Sequence, residues 1–561
     1  MTALATTAGG AAPAAAPTGS LSQLAGKPGC VFDTPDPEDD PSPLAGICAE
    51  AQGLATPTGI AVSSDGRNVY VAASGDDAIA VFSRNPSTGA LTALSGAAGC
   101  VAESTDTGCT GAHLLFDVSA LAVSPDGRNV YAAGSKGIAV FGRRTDSGAL
   151  AQLPGTAGCV AGDTADGACT PVTALDDATS VAVSPDGRNV YAGSSSATVA
   201  VFARGTTGAL SQLGGTAGCL APLPDDDEDT VEPALPCART GDLNTPPANS
   251  LEDRSPIAVS PDGRNVYVAT YGSVATFTRA AASGALMAGG CLARAETAGS
   301  GSQCLEGRGL GAPQSIVAGA QTVAVSSAPI IIDVEWDDGI ALMRRDLVSG
   351  ALAQAPGPTG CVTTMGSSGC AIAHGLTGYS SSDFVLDSVA LSGDGLSLYV
   401  GTTAGSGSGD QSGTILVFAL QKGALNQLPG DLGCLGGASG GCAPLRALTG
   451  ASALGVSPDG RNVYAAGYWD SSVVSLSRTV PTSTLTVRVV GPGAVRSTPA
   501  AVLCPKRCVA SFPVGSSTTL AATATKSSSF VGWKGACHGK AKTCTVVLDA
   551  PRSTTATFRR R

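Results

Sequence analysis

The chain has 561 residues, with 75 Gly, 34 Pro, 14% charged and 4% aromatic residues, and a formal net charge of −11. That composition excludes a coiled coil or a long-helix protein, while 43% hydrophobic residues is too many for a disordered chain. A turn-rich, all-β protein remains; no apolar run reaches the roughly 18–20 residues that cross a bilayer, so no transmembrane segment is expected, and no nucleic-acid partner.

At the N-terminus, residues 1–17 carry an Ala/Pro-rich stretch typical of a signal-peptide cleavage site, without a basic region or a full apolar segment before it. They read as a remnant of an export signal or a disordered N-terminus. The eighteen cysteines fall into nine local pairs, from Cys30/Cys48 to Cys537/Cys544. Zinc would need four converging ligands, and most pairs lie about 60–70 residues apart. An even count paired across short loops reads instead as disulfides made outside the reducing cytosol, so the expected location is secreted or on the cell surface.

From residue 18 to about 480 one unit recurs. GIAVSSDGRNVYVA begins at Gly59, ALAVSPDGRNVYAA at Ala120, SVAVSPDGRNVYAG at Ser180, PIAVSPDGRNVYVA at Pro256 and ALGVSPDGRNVYAA at Ala453. Two copies are worn: SVALSGDGLSLYVG from Ser388, and TVAVSSAPIIIDVE from Thr322, where Ser326–Pro329 stands in place of the turn. Within a copy the period-two alternation, broken by turn signals, predicts four short strands A to D, with Asp-Gly forming the A–B hairpin because a two-residue primed turn needs positive φ. Seven four-stranded meanders predict seven propeller blades, since a lone blade cannot cover both of its faces. The last copy lacks strand D after Arg478, while Thr18–Cys30 matches Thr207–Cys219. The first strand of the chain is therefore expected to complete the last blade.

These repeats resemble the YVTN-type units of seven-bladed propellers in the lactonase-like family. The resemblance implies the fold and, more weakly, a hydrolase that opens a cyclic ester at the channel mouth.

The propeller period ends near residue 481. Residues 481–561, with Thr484–Gly493, Cys504-Pro-Lys-Arg-Cys508, Phe530-Val-Gly-Trp533 and Thr554–Phe558, resemble the small β repeat domain of bacterial surface and secreted proteins. Trp533 is expected in its core. From Thr482 onward there are twelve Lys or Arg against one acid, a net of +11, leaving −22 on the remainder. Lys506, Arg507, Lys534, Lys540 and Lys542 are therefore candidates for binding an anionic cell-envelope polymer.

In the propeller, no Gly-x-Ser-x-Gly elbow, His-Glu-x-x-His or phosphate loop stands in a fitting context. His113 and His374 each follow the second cysteine of a pair by four residues and are candidate general bases on the face of the D-to-A loops, where the acidic insertions Asp33–Asp40 and Asp225–Glu228 also lie. Asp117, Asp177 and Asp253 each precede a turn aspartate by nine residues, at the start of strand A in three consecutive blades. With Asp387 they form a candidate carboxylate arc at the channel mouth, and a divalent cation is the candidate cofactor there; capping of each strand start by its own aspartate is the local alternative. The two function classes are a secreted, monomeric binding or scaffold protein, whose partner is an envelope polymer or an extracellular protein, and a lactonase-like hydrolase.

Overall fold

The computed structural model describes residues 17–560 except 34–41, 105–107, 163–166, 224–235, 242, 244–253, 295–303, 329–330, 333–334, 337–338, 364–365, 367–368, 376–383, 405–412, 422, 437–440, 499–500, 515–516 and 549. Asp253 and nearly all of both acidic insertions lie outside the described residues. No α-helix occurs among those described.

Seven small sheets follow one another along the chain, each a meander. In blade 2, strand A is Ala120–Val123, strand B Asn129–Gly134 and strand C Gly137–Arg143. The loop Ser124–Arg128 joins A to B, in place of the two-residue primed turn expected: the Gly127 amide donates to Ser124 O around Pro125-Asp126, and only Gly127, at φ 67, is left-handed. Strands B and C read as apolar runs because both faces are covered: Asn129–Gly134 is buried at every residue. Tyr70 and Val81 of blade 1 cluster with Val130 and Phe141 of blade 2, so the core lies between consecutive blades rather than within one. The A strands touch from blade to blade all the way round, which places them innermost and closes the ring.

The ring closes as the terminal match implies. Leu21–Gln23 and Cys30–Asp33 both pair antiparallel with Ser472–Arg478 of blade 7, and the Gly19 and Thr479 amides donate across the junction.

Two further expectations need correction. Strand D does not stop at the Gln of Ala-Leu-x-Gln: in blade 2 it resumes at Cys159–Ala161 on the same strand C, after a 3-10 turn at Gly155–Gly158. The first cysteine thus belongs to strand D, and the second leads into a two-residue fifth strand, Thr170–Pro171, parallel to it. Fifth strands also flank blades 1, 3, 4, 5 and 7, and blade 6 has a single bridge, Leu435 to Ala443. The cystines therefore lash a covering strand onto each outer edge, which would otherwise expose unpaired main-chain groups. The second correction concerns blade 5. Thr322–Ala328 is its strand B, not strand A; strand A is Ala312–Ala318, and the turn is the short Gly319–Gln321. TVAVS imitates a strand A, but without Asp-Gly nothing in the residues fixes its register.

Residues 482–560 form two further four-stranded sheets around one apolar cluster that includes Leu485, Leu520, Trp533 and Phe558. Trp533 is buried as expected, its indole N–H donating to Ala541 O at 2.8 Å. All eighteen cysteines are joined in the nine expected disulfides.

Candidate functional site

The repeat motif is consumed by the seams between blades. Arg143, the last residue of strand C in blade 2, reaches back into blade 1: Nη2 meets both oxygens of Asp65 (3.1 and 3.0 Å) and Asn68 Oδ1 (2.6 Å), and Nε donates to the Tyr70 hydroxyl at 2.7 Å. Nη1 donates to Gly127 O of its own blade. Tyr70 in turn donates to Gly148 O in the C–D turn of blade 2. The same lock recurs with Arg84 on Asp459 across the ring closure, Arg204 on Asp126, Arg279 on Asp186, Arg345 on Asp262 and Arg478 on Asp394. Burial would raise the Asp65 carboxyl, yet the Ser63 hydroxyl, the Arg67 amide and Arg143 hold it below its ordinary value. Burial pushes the Tyr70 phenol up to about 12, against the pull of Arg143. The turn aspartates thus shape the hairpin, as the sequence indicated, and also bind the next blade. The sequence signal for that second role was the arginine ending strand C, present in every blade but the sixth.

Asp117 and Asp177 stand at equivalent positions in blades 2 and 3, both exposed. Their backbones are left-handed, φ 51 and 56, as are those of Thr56 (44) and Gly450 (73) at the same point of blades 1 and 7. Asp is among the few residues that accept this conformation readily, so its recurrence has a local cause. The two side chains still sense each other. Partial shielding raises the Asp177 carboxyl, Ser195 opposes the rise, the Asp117 charge adds to it and Arg254 opposes it. Asp387 lies apart, half-buried in strand A of blade 6 at the bulge between Val385 and Ser388. No group of three or more metal-ligating side chains occurs among the described residues.

His113 and His374 occupy one repeat position, against the outer strand rather than the channel. Gln152 clamps the His113 main chain, accepting from its N–H at 2.8 Å and donating to its carbonyl at 2.7 Å; Gln427 does the same for His374. Thr173, Arg308 and Arg446 fill the equivalent place against Gln212, Gln354 and Gln23, so the clamp reads only backbone. The His113 ring lies 3.3 Å from Glu103, and His374 Nε2 lies 2.8 Å from Gly441 O in the blade 6 cystine loop. The two histidines belong to blades 2 and 6, which are not neighbours.

In the C-terminal sheets, Lys534 pairs across to Thr555 and Thr555 to Arg488, placing both cations in one row. The turn bearing Lys506 and Arg507 abuts that strand, Cys508 O accepting from the Val487 amide. Lys540 and Lys542 lie in the loop between Cys537 and Cys544.

No family model matches the chain, and no curated protein does. Solved structures that resemble it include hydrazine synthase of Kuenenia stuttgartiensis, at 14% identity over 77% of this chain and 98% of that one, with a TM-score of 0.42. A putative 6-phosphogluconolactonase of Bacteroides fragilis matches at 17% identity over 66% and 82%, TM-score 0.39. Another from Bacteroides uniformis matches at 17% over 66% and 83%, TM-score 0.37. Likeness at this level transfers neither activity nor substrate.

Proposed function

We propose that the chain is an extracytoplasmic binding scaffold: a locked propeller, residues 18–480, presents its cystine-lashed rim to a partner, and residues 481–561 tether it to an anionic envelope polymer. The carrying observation is the division of charge, +11 from Thr482 onward against −22 elsewhere. Lys506, Lys534, Lys540 and Lys542 are exposed and in no ion pair among the described residues. Nine disulfides suit an oxidising medium. The strand-end arginines and the strand B tyrosines are spent on seams. Full-length protein is expected to bind immobilised teichoic acid at low salt and to elute as ionic strength shortens the screening length. Changing Lys506, Lys534, Lys540 and Lys542 to Gln should abolish retention; unchanged retention would refute the tether.

A hydrolase is the second reading, favoured by the placement of Asp117 and Asp177 at equivalent positions of adjacent blades, where the Asp117 charge contributes to raising the Asp177 carboxyl.

A further inference from the structure

Six seams carry the arginine lock and one does not. Between blades 5 and 6 the arginine position holds Leu420, the tyrosine position Ala324 and the asparagine position Thr322, and the shortened Gly319–Gln321 turn offers no aspartate. Both halves of the lock are missing together, so no charge is left orphaned there. At the asparagine and arginine positions, Thr322 and Leu420, the seam opens instead into a groove of about 1180 Å³ at its A–B turn end. This slightly exceeds the roughly 300–1,000 Å³ of ordinary small-molecule sites.

Its walls mix polar groups with apolar side chains, the latter including Val317 from blade 5 and Leu391, Leu396 and Leu420 from blade 6. Leu347 and Val348 stand at the mouth, 47% and 88% exposed. Most charges at the groove are already engaged. Arg345 is held by Asp262, Asp394 by Arg478, and Asp346 accepts from the Val348 and Ser349 amides and the Ser349 hydroxyl. Arg344 differs. It is exposed, makes no ion pair among the described residues, and its stem crosses the seam onto Gly423, where a Cβ would come within 2.9 Å of Arg344 Cδ. The stem thus lies where an asparagine lies at five of the locked seams and Ser397 at the sixth, leaving the guanidinium at the groove edge.

We propose that the blade 5–blade 6 seam binds an amphiphile with an anionic head, its apolar chain against Val317, Leu391, Leu396 and Leu420 and its head on the Arg344 guanidinium. A fatty carboxylate is the simplest such ligand. Burying a chain there removes apolar wall from water, and the planar fork of arginine suits a carboxylate. The test is calorimetric titration of the full-length protein with dodecanoate below its micellar concentration, alongside dodecyltrimethylammonium and acetate. Dodecanoate should bind with one site per chain, and the other two should not. Arg344→Gln should weaken dodecanoate roughly tenfold, the loss of one charge-assisted contact. Leu396→Trp, which fills the groove at an exposed position, should abolish binding while circular dichroism and melting temperature stay as in the parent. No binding of dodecanoate, equal binding of the cationic amphiphile, or indifference to both substitutions would overturn the proposal.

Discussion

One arginine holds four partners at each locked seam, and the geometry decides what a substitution does. The Arg143 side chain is fully buried while Asp65 is 34% exposed, so Arg143→Ala leaves a carboxylate that water partly reaches and buried Tyr70 and Asn68 that it does not. The expected cost is about 3 kcal/mol, the low end for breaking a buried pair. Arg143→Lys should recover less than half of it, because one ammonium cannot reproduce three nitrogens fixed in a plane. Thermal denaturation of both variants checks this; equal stability of Lys and Arg would contradict the fork geometry. The tyrosines give a pH signature. Burial pushes Tyr70, Tyr131, Tyr191, Tyr267 and Tyr464 up to about 12 and raises Tyr399. A raised pKa means the neutral phenol is favoured in the fold, so its contribution is complete below about pH 10 and is lost as pH climbs through about 12. Absorbance at 295 nm should therefore show at least five of the nine tyrosines still largely neutral at pH 11. Six or more ionising by then would mean the seams are open. The Asp-Gly turn was legible because it acts on its own hairpin. Its ion pair was not, because the partner arginine stands 78 residues away in the next blade.

Among elements, the N-terminal strand was the most legible, because Thr18–Cys30 repeats Thr207–Cys219 and a repeat that lacks its end must find it elsewhere. Its pairing with Ser472–Arg478, together with Tyr399 donating to Gly19 O, ties the last blade shut. Deleting residues 18–28 removes several main-chain hydrogen bonds at about 1 kcal/mol each and frees the Leu476–Arg478 half of the strand C edge. The melting temperature should fall by several degrees, and the deleted protein should self-associate through strand C of blade 7. Unchanged melting would refute the closure. The fifth strands were illegible: two or three residues have no period, and the intervals closed by the cystines run from 8 to 18 residues in the propeller. Blade 5 was misread for the opposite reason, a convincing alternation in the wrong strand.

At the scale of the whole molecule, the ring has six charge-locked junctions and one without that lock. The seventh seam, between blades 5 and 6, is open. The sequence showed seven units and a basic tail; it could not show which junction lacks its lock, since that requires knowing that strand C of one blade meets the turn of the blade before it. Of the candidate site residues, Asp117 and Asp177 stand at equivalent positions of adjacent blades, and the Asp117 charge adds to the rise of the Asp177 carboxyl. The histidines occupy positions set by a glutamine that reads only their backbone, a relation linking residues 39 to 53 apart. A scaffold reading makes the carboxylate pair a consequence of backbone conformation, whereas a hydrolase reading makes it a base. A lactone-hydrolysis assay on the purified full-length protein, with and without chelator, separates the two most directly. The scaffold account expects turnover no faster than buffer under both conditions; turnover that Asp177→Asn removes while the fold persists would contradict it.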